Sequence, residues 1–252
     1  MTKIILDACN NHLGNHDILV AMIKEAKRLK ADYIKFQLFN HERLFSLYPN
    51  YSEYKKELEK CQIDREKLGC IFNTCQSVGI TPMFTIFSSD RVTFLEKYAK
   101  DNGIKSYEYA IKIASSDMSN YTLVQEVLET FDTELFISCG MHTKQEIAAV
   151  RSNYSNLGIN WLYCVSMYPT PKEYIDLHEM ALFDGFSDHT NTTDMALKAL
   201  SLGMQFLEVH FTLGRSLPCK DSIVSKVPSE IEKIVHYRDY LASIDKYKHR
   251  FL

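Results

Sequence analysis

Short apolar runs rich in β-branched and aromatic residues alternate along the chain with longer segments whose apolar positions recur every three to four residues. That alternation is the pattern of parallel strands joined by helical crossovers. The runs fall at Ile4 to Leu6, Ala31 to Phe36, Ile80 to Thr85, Tyr109 to Ile113, Glu134 to Ile137, Ile159 to Cys164, Leu182 to Ser187 and Met204 to His210. Eight such units predict an α/β fold, a closed (β/α)8 TIM barrel forming one domain over residues 1–252, a length typical of that architecture. An open doubly wound sheet, the rival, usually has fewer strands and a glycine-rich turn after the first, whereas Asp7-Ala8-Cys9-Asn10-Asn11-His12 holds no glycine.

Several helices are readable in outline. Ile18, Leu19, Met22, Ile23 and Ala26 draw one apolar face ending near Arg28, and Tyr51 to Cys75 holds one or two helices. Ser88-Ser89-Asp90 caps the next, and Ile231, Ile234, Val235, Tyr237, Arg238 and Leu241 predict the helix that closes the barrel. The charge-laced run Tyr54 to Lys60 reads as a solvated helix face and Lys246 to Arg250 as a short basic tail.

Composition narrows the function classes. With 46% hydrophobic and 24% charged residues and no long uncharged apolar run, disorder and membrane spans are set aside. The net charge of -3 and the scatter of lysines and arginines among acids argue against a nucleic-acid partner. Seven cysteines without CxxC spacing, and a start MTKIILDA without a basic and apolar leader, lead us to expect a reduced, cytoplasmic protein without an export signal.

In a barrel the chemistry lies at the C-terminal strand ends. Polar residues gather there at every strand: Asp7, Asn11 and His12; Lys35 and Gln37; Thr85; Lys112 and Ser115; Ser138; Cys164 and Ser166; Ser187, Asp188 and His189; Glu208 and His210. Lys35 and Lys112 stand in apolar contexts and need anionic partners. A phosphate or carboxylate ligand would satisfy both, with Thr85, Ser115, Ser138 and Ser187 donating hydroxyls. The structural alternative is ion pairing with Asp7, Asp117 or Glu208, and each hydroxyl taken singly reads as a helix cap. His189 and His210 end neighbouring strands and suit a two-histidine site for Mn²⁺, Mg²⁺ or Zn²⁺, against a purely structural role for each. Asp221 is a further ligand, a base or a solvated loop acid. Cys9, Cys139 and Cys164 read as small packing residues.

Eight motifs in register across about residues 4 to 240 resemble the N-acylneuraminate (sialic acid) synthase family. Asp7-Ala8-Cys9-Asn10-Asn11-His12 resembles the family's E-x-G-x-N-H, Lys35-Phe36-Gln37 its KFQ, and Thr85-Ile86-Phe87-Ser88 its T-P-F-S. Lys112 to Asp117 resembles K-I-G-S-G-E, and Ser138-Cys139-Gly140-Met141 resembles S-T-G-M. Tyr168-Pro169-Thr170-Pro171 and Ser187-Asp188-His189-Thr190 keep Y-P-T-P and S-D-H-T, and Glu208 to Thr212 resembles E-x-H-F-T, with Asp221 where the family has a G-P-D loop.

The resemblance implies a transferase of sialic acid biosynthesis on a (β/α)8 barrel, condensing phosphoenolpyruvate with an N-acylated aminosugar aldose and releasing phosphate. It implies that Lys35, Thr85, Lys112, Ser115, Ser138 and Ser187 bind phosphoenolpyruvate and that His189 and His210 hold a divalent metal, Mn²⁺ with Mg²⁺ or Co²⁺ as alternatives. Asn11, Gln37, Asp117, Ser166 and Tyr168 join the substrate-binding set, and Asp7, Lys35, Lys112 and Asp221 the catalytic one. Asp7 and Asp117 are one methylene shorter than the family's glutamates, and Cys9, Ala114 and Ser116 stand where it has glycines. Most members add a C-terminal antifreeze-like domain whose arginine reaches across a dimer to the acyl group. The expected partners are therefore the small-molecule substrates and a second copy or a separate antifreeze-like domain. Two other readings stay open: a Schiff-base aldolase using Lys112 or Lys35, and a catalytically silent barrel binding a phosphorylated metabolite or partner subunit.

Overall fold

The structure, a computed structural model, describes residues 1–47 and 55–248. The start of the expected helical stretch at Tyr51 to Tyr54, and His249 and Arg250 of the basic tail, lie outside the described residues. Eight parallel strands, β1 (Lys3–Asp7), β2 (Tyr33–Leu38), β3 (Thr81–Ile86), β4 (Ala110–Ile113), β5 (Leu135–Ser138), β6 (Ile159–Tyr163), β7 (Gly185–Asp188) and β8 (Phe206–His210), pair in chain order, and β8 closes on β1. The crossovers carry α1 (His16–Arg28), α2 (His41–Leu47), α3 (Lys55–Cys61), α4 (Arg65–Val78), α5 (Ser89–Asn102), α6 (Tyr121–Thr130), α7 (Lys144–Asn153), α8 (Leu177–Met180), α9 (Asp194–Ser201) and the closing α10 (Pro228–Lys248).

The period-two alternation of each strand divides the apolar residues into two cores. Outward-facing Ile4, Leu6, Ile34, Phe36, Ile111 and Ile113 pack against the helices, where α1 contributes Leu19, Met22, Ile23 and Ala26. Inward-facing Ile5, Tyr33, Met83, Ala110, Phe136, Leu162 and Phe206 form a separate cluster inside the barrel. At that level β7 presents Gly185, where a Cβ would lie 2.7 Å from Phe206 Cβ and 2.6 Å from Leu162 Cδ2. Glycine is required there because the neighbouring side chains fill the space.

The stretch read as one or two helices holds two, α3 and α4, and α2 precedes it in the same crossover. Two local features differ from the sequence reading. β7 begins at Gly185 rather than Leu182, because Leu182 is 71% exposed and Asp184 uses its carboxylate on the Trp161 N–H and its carbonyl on the Gln205 N–H. Ser88 stands at the N-cap of α5, but its hydroxyl donates to Asp90 instead of receiving a helix N–H.

Candidate active site

One pleat repeat beyond the inner apolar layer, every strand line turns from apolar or small to polar or sulfur-bearing: Ile5 is followed by Asp7, Tyr33 by Lys35, Met83 by Thr85, Ala110 by Lys112, Phe136 by Ser138, Leu162 by Cys164, Gly185 by Ser187 and Phe206 by Glu208. All eight are buried. Register brings them together: Asp7 lies beside Lys35 and His210, Thr85 beside Lys112, and Ser187 beside Glu208. Lys35 Nζ is 2.8 Å from Asp7 Oδ2 and 3.0 Å from Glu208 Oε2, and Lys112 Nζ donates to Glu208 Oε1 at 2.5 Å. Ser187 Oγ donates to the same Oε1 at 2.7 Å. Of the expected ion-pair partners, Asp7 and Glu208 are therefore realised and Asp117 is not. Asp117 bonds Ser116 and Asn120 and lines a peripheral cavity of about 290 Å³ with Asn40 and Arg43.

The electrostatics follow from this mutual neutralisation. Burial alone would raise the carboxyl pKa values, but Lys112 and Lys35 hold Glu208, and Lys35 and His210 hold Asp7, below the usual carboxylate range. Burial pulls Lys35 down, but Asp7 and Glu208 outweigh it and keep its ammonium above its ordinary value. For Lys112 burial prevails over Glu208, and its pKa is lowered.

Two buried hydroxyls in this layer, Thr85 Oγ1 and Ser138 Oγ, have no hydrogen-bond partner. An orphaned buried polar atom costs about 1–3 kcal/mol. Thr85, on the strand between those of Lys35 and Lys112, and Ser138, on the strand after that of Lys112, are placed to meet the oxygens of an anion. Above them, Ser115 Oγ and Ser166 Oγ lie 3.2 Å apart, joining the loops after β4 and β6.

The histidines converge on the opposite side of the mouth, with ring centroids 5.2 Å apart. His189 Nδ1 donates to Val165 O at 3.0 Å, so Nε2 carries the lone pair and accepts from Tyr168 OH at 3.1 Å under a stacked tyrosine ring. Burial and the neighbouring His210 lower the His189 pKa to about 3, keeping the imidazole neutral and competent as a ligand. Burial also lowers His210, with Asp7 opposing; its Nε2 is 3.7 Å from Asp7 Oδ2 and its Nδ1 has no partner. Donor atoms of Asp7, Cys9 and His210 lie within 4.8 Å of one another. This donor set, with one orphaned imidazole nitrogen, fits a divalent cation.

The remaining predicted residues take distinct places. Gln37 Nε2 lies 3.5 Å from Asp7 Oδ2. Asp221 Oδ2 accepts from the Asn10 N–H at 3.1 Å, and burial raises its pKa beside His210 and Asp7. Asn11 donates its amide to Phe211 O and Ser225 Oγ, both at 2.9 Å, tying the β1 loop to the segment after β8 and leaving Oδ1 without a partner. His12, also at the mouth, accepts from the Gly14 N–H and is held neutral by burial, its pKa near 4.

Sequence reasoning left three residues out of the site. Glu208, the shared partner of both lysines, was visible as a strand-end acid two residues before His210. Cys9, read as packing, places its sulfur among potential ligands. Lys226 carried no signal: it pairs across 3.7 Å with Asp188, both completely buried, and donates to Thr190 O at 2.6 Å, pinning the segment after β8 to the tip of β7.

Residues 22–248 match the NeuB family model. An uncharacterised protein of Methanocaldococcus jannaschii is 31% identical over 93% of this chain and 69% of its own. The N,N'-diacetyllegionaminic acid synthase of Legionella pneumophila is 28% identical over 92% of this chain and 70% of its own. The crystal structure of N-acetylneuraminic acid (sialic acid) synthetase from Leptospira borgpetersenii, in complex with citrate, aligns with a TM-score of 0.85 at 26% identity, covering 96% of this chain and 84% of that one. No described helix is long and apolar enough to cross a membrane.

Proposed function

The chain belongs to the NeuB family, and from that premise we propose that it condenses phosphoenolpyruvate with an N-acylated aminosugar aldose of the N-acetylmannosamine type. The product is a 3-deoxy-2-keto sugar acid such as N-acetylneuraminate, and phosphate is released. The observation that carries this reading is the polar layer of the barrel, where two partnerless hydroxyls, Thr85 and Ser138, accompany two buried lysines.

Lys35 and Lys112 bind the phosphate and carboxylate of phosphoenolpyruvate. Each ammonium has three N–H donors; Lys35 has two carboxylate partners and Lys112 one, so donors remain for ligand oxygens. Thr85, Ser115, Ser138 and Ser187 add hydroxyls. C3 of phosphoenolpyruvate bonds to the aldehyde carbon, whose oxygen gains a proton. Water adds at C2 and loses a proton, the C2–O bond breaks with its electron pair leaving on phosphate, and the C2 hydroxyl becomes the keto group. Asp221, with its raised pKa, suits proton donation, and Asp7, held ionised, suits acceptance or orientation. Gln37, Ser166 and Tyr168 contact the sugar, with Asn11 and Asp117 at the border of the pocket. A divalent metal held by His189 and His210, with Mn²⁺ proposed ahead of Mg²⁺ or Co²⁺, supplies polarisation of the aldehyde when bound. A cytoplasmic location, and a second copy or a separate antifreeze-like domain that completes the acceptor pocket, belong to the same proposal.

A Schiff-base aldolase would need a free amine. Asp7 and Glu208 hold Lys35 as the ammonium, and Lys112, although burial lowers its pKa, is engaged by Glu208 Oε1 at 2.5 Å, so under the synthase reading borohydride with a carbonyl substrate should trap no adduct. The deciding experiment is phosphate release from phosphoenolpyruvate with Mn²⁺ across a panel of N-acylmannosamines and related aldoses. Release that requires one sugar, and is abolished by EDTA and by His189→Ala, is expected. Phosphoenolpyruvate and metal binding with no release from any sugar would overturn catalysis and leave a binding-only barrel.

A further inference from the structure

We propose that Cys9 is itself a metal ligand, sharing one cation with Asp7 and His210 and biasing the site toward a thiophilic ion such as Zn²⁺ or Co²⁺ over Mn²⁺. It rests on the metal-dependent reading above for the role of the cation, keeps His210 as the common ligand, and departs from that reading in the preferred ion.

Backbone conformation gives the first argument. Cys9 has φ 45°, in the left-handed region. A side chain there costs about 1–2 kcal/mol relative to glycine, and the sequences this loop resembles have glycine at the position. A residue kept in a strained conformation is a pointer to function. The turn is held by the Cys9 N–H, which donates to Asp7 Oδ1 at 2.9 Å, and by the thiol, which contacts Asp7 O at 3.6 Å, so the sulfur is folded back over the end of β1.

The donor geometry gives the second. The sulfur, a carboxylate oxygen of Asp7 and a ring nitrogen of His210 lie within 4.8 Å of one another, all buried. Two metal–ligand bonds of about 2.0–2.3 Å span at most about 4.6 Å, so a slight side-chain rotation lets the three share one ion. His210 turns Nε2 toward Asp7 Oδ2 at 3.7 Å, and its Nδ1, in a ring 5% exposed, has no protein partner. Cys139, also near a strand tip, makes the equivalent thiol contact, to Ile137 O, but belongs to no such donor cluster among the described residues. Sulfur is a soft donor, and adding it to imidazole and carboxylate favours Zn²⁺ and Co²⁺ over the harder Mn²⁺.

The test is Co²⁺ titration of the metal-free full chain, followed by optical absorption. Wild type and Cys139→Ser should show a thiolate-to-cobalt charge-transfer band in the near ultraviolet, and Cys9→Gly and Cys9→Ser should not. In competition dialysis, the Zn²⁺/Mn²⁺ occupancy ratio should fall at least about tenfold in Cys9→Gly, since loss even of a group supporting a metal ligand costs 10–100-fold. Cys9→Gly removes the left-handed strain, so its unfolding midpoint should not fall, which separates ligand loss from misfolding. A band that survives in Cys9→Gly, bound cobalt without the band in wild type, or no cobalt uptake at all would each overturn the assignment. Phosphate release is measured separately: the band without turnover would sink the synthase reading and leave the thiolate ligand standing.

Discussion

The lower and upper halves of the barrel interior are built on the same eight strands, one pleat repeat apart, yet they follow opposite rules. The lower layer is apolar and interlocked, with Phe136 meeting Phe206 edge-on at 4.8 Å and Tyr33 at 5.9 Å. Its burial drives folding, since apolar area removed from water is the dominant favourable contribution. The upper layer buries two lysines, two carboxylates and two unpartnered hydroxyls. Buried ion pairs yield little net stability, while breaking one is expensive. The lower half therefore stabilises the barrel and the upper half is arranged for a ligand, and each can be perturbed without directly touching the other.

The largest effect should come from Glu208→Ala, which leaves Lys112 without its carboxylate and Lys35 with Asp7 alone; about 3–5 kcal/mol of stability should be lost in urea unfolding. Phe136→Ala, its counterpart below, should cost a similar 3–5 kcal/mol by leaving a cavity, yet keep measurable phosphoenolpyruvate binding in calorimetry, which Glu208→Ala should lose. Equal loss of binding in both would show that the layers are not separable.

Acid offers a second contrast, because the mouth of the barrel contains buried neutral histidine. The folded pKa of His12 near 4 lies below its ordinary 6.5 through burial and the charge of Lys67. Its stabilising contribution is present above pH 6.5 and is lost as pH falls from 6.5 toward 4, at about 1.4 kcal/mol per pH unit. The pH dependence of the urea midpoints between those values should become shallower in His12→Gln, with the buried His189, its pKa near 3, keeping its own share of the slope. Below pH 4.5, protonation of Glu208 should add to the loss, since its folded pKa is held down by Lys112 and Lys35 against burial. Gly185→Ala should cost about 1–3 kcal/mol by forcing a methyl against Leu162 and Phe206, read as a lowered thermal midpoint. Ser138→Ala should raise the stability of the unliganded protein by about 1–3 kcal/mol, because it removes a buried hydroxyl that has no partner. It should still weaken phosphoenolpyruvate binding by about 1.5–3 kcal/mol, the value of a hydrogen bond to a charged group.

Strand order was readable because each strand is a compact apolar run, and α1 because its buried residues sit at helical spacing. Within the crossover after β2, α2 was not readable, since seven residues are too few to show an apolar period, and α3 is dominated by charged residues. The polar mouth was legible residue by residue, but its wiring was not. Which lysine meets which acid depends on register between strands distant in sequence, so Glu208 appeared as one of several candidate partners and not as the hub. Cys9 was legible as a buried packing residue but its place beside Asp7 and His210 was not, since a left-handed backbone is invisible in a single sequence unless glycine occupies it.

The pairing of β1 with β8 has a consequence for how the molecule is made. Asp7 comes from the first strand, and Glu208 and His210 from the last, so the charge cluster is incomplete until β8 meets β1. During synthesis Lys35 can pair with Asp7 as soon as β1 and β2 meet, but the open edge of β1 and the Lys112 ammonium must wait for β8, a long-range closure of the kind that slows folding and exposes strand edges. An incomplete chain would thus have neither a sealed sheet nor an assembled charge cluster: quality control of the fold and maturation of the catalytic centre coincide in a single event.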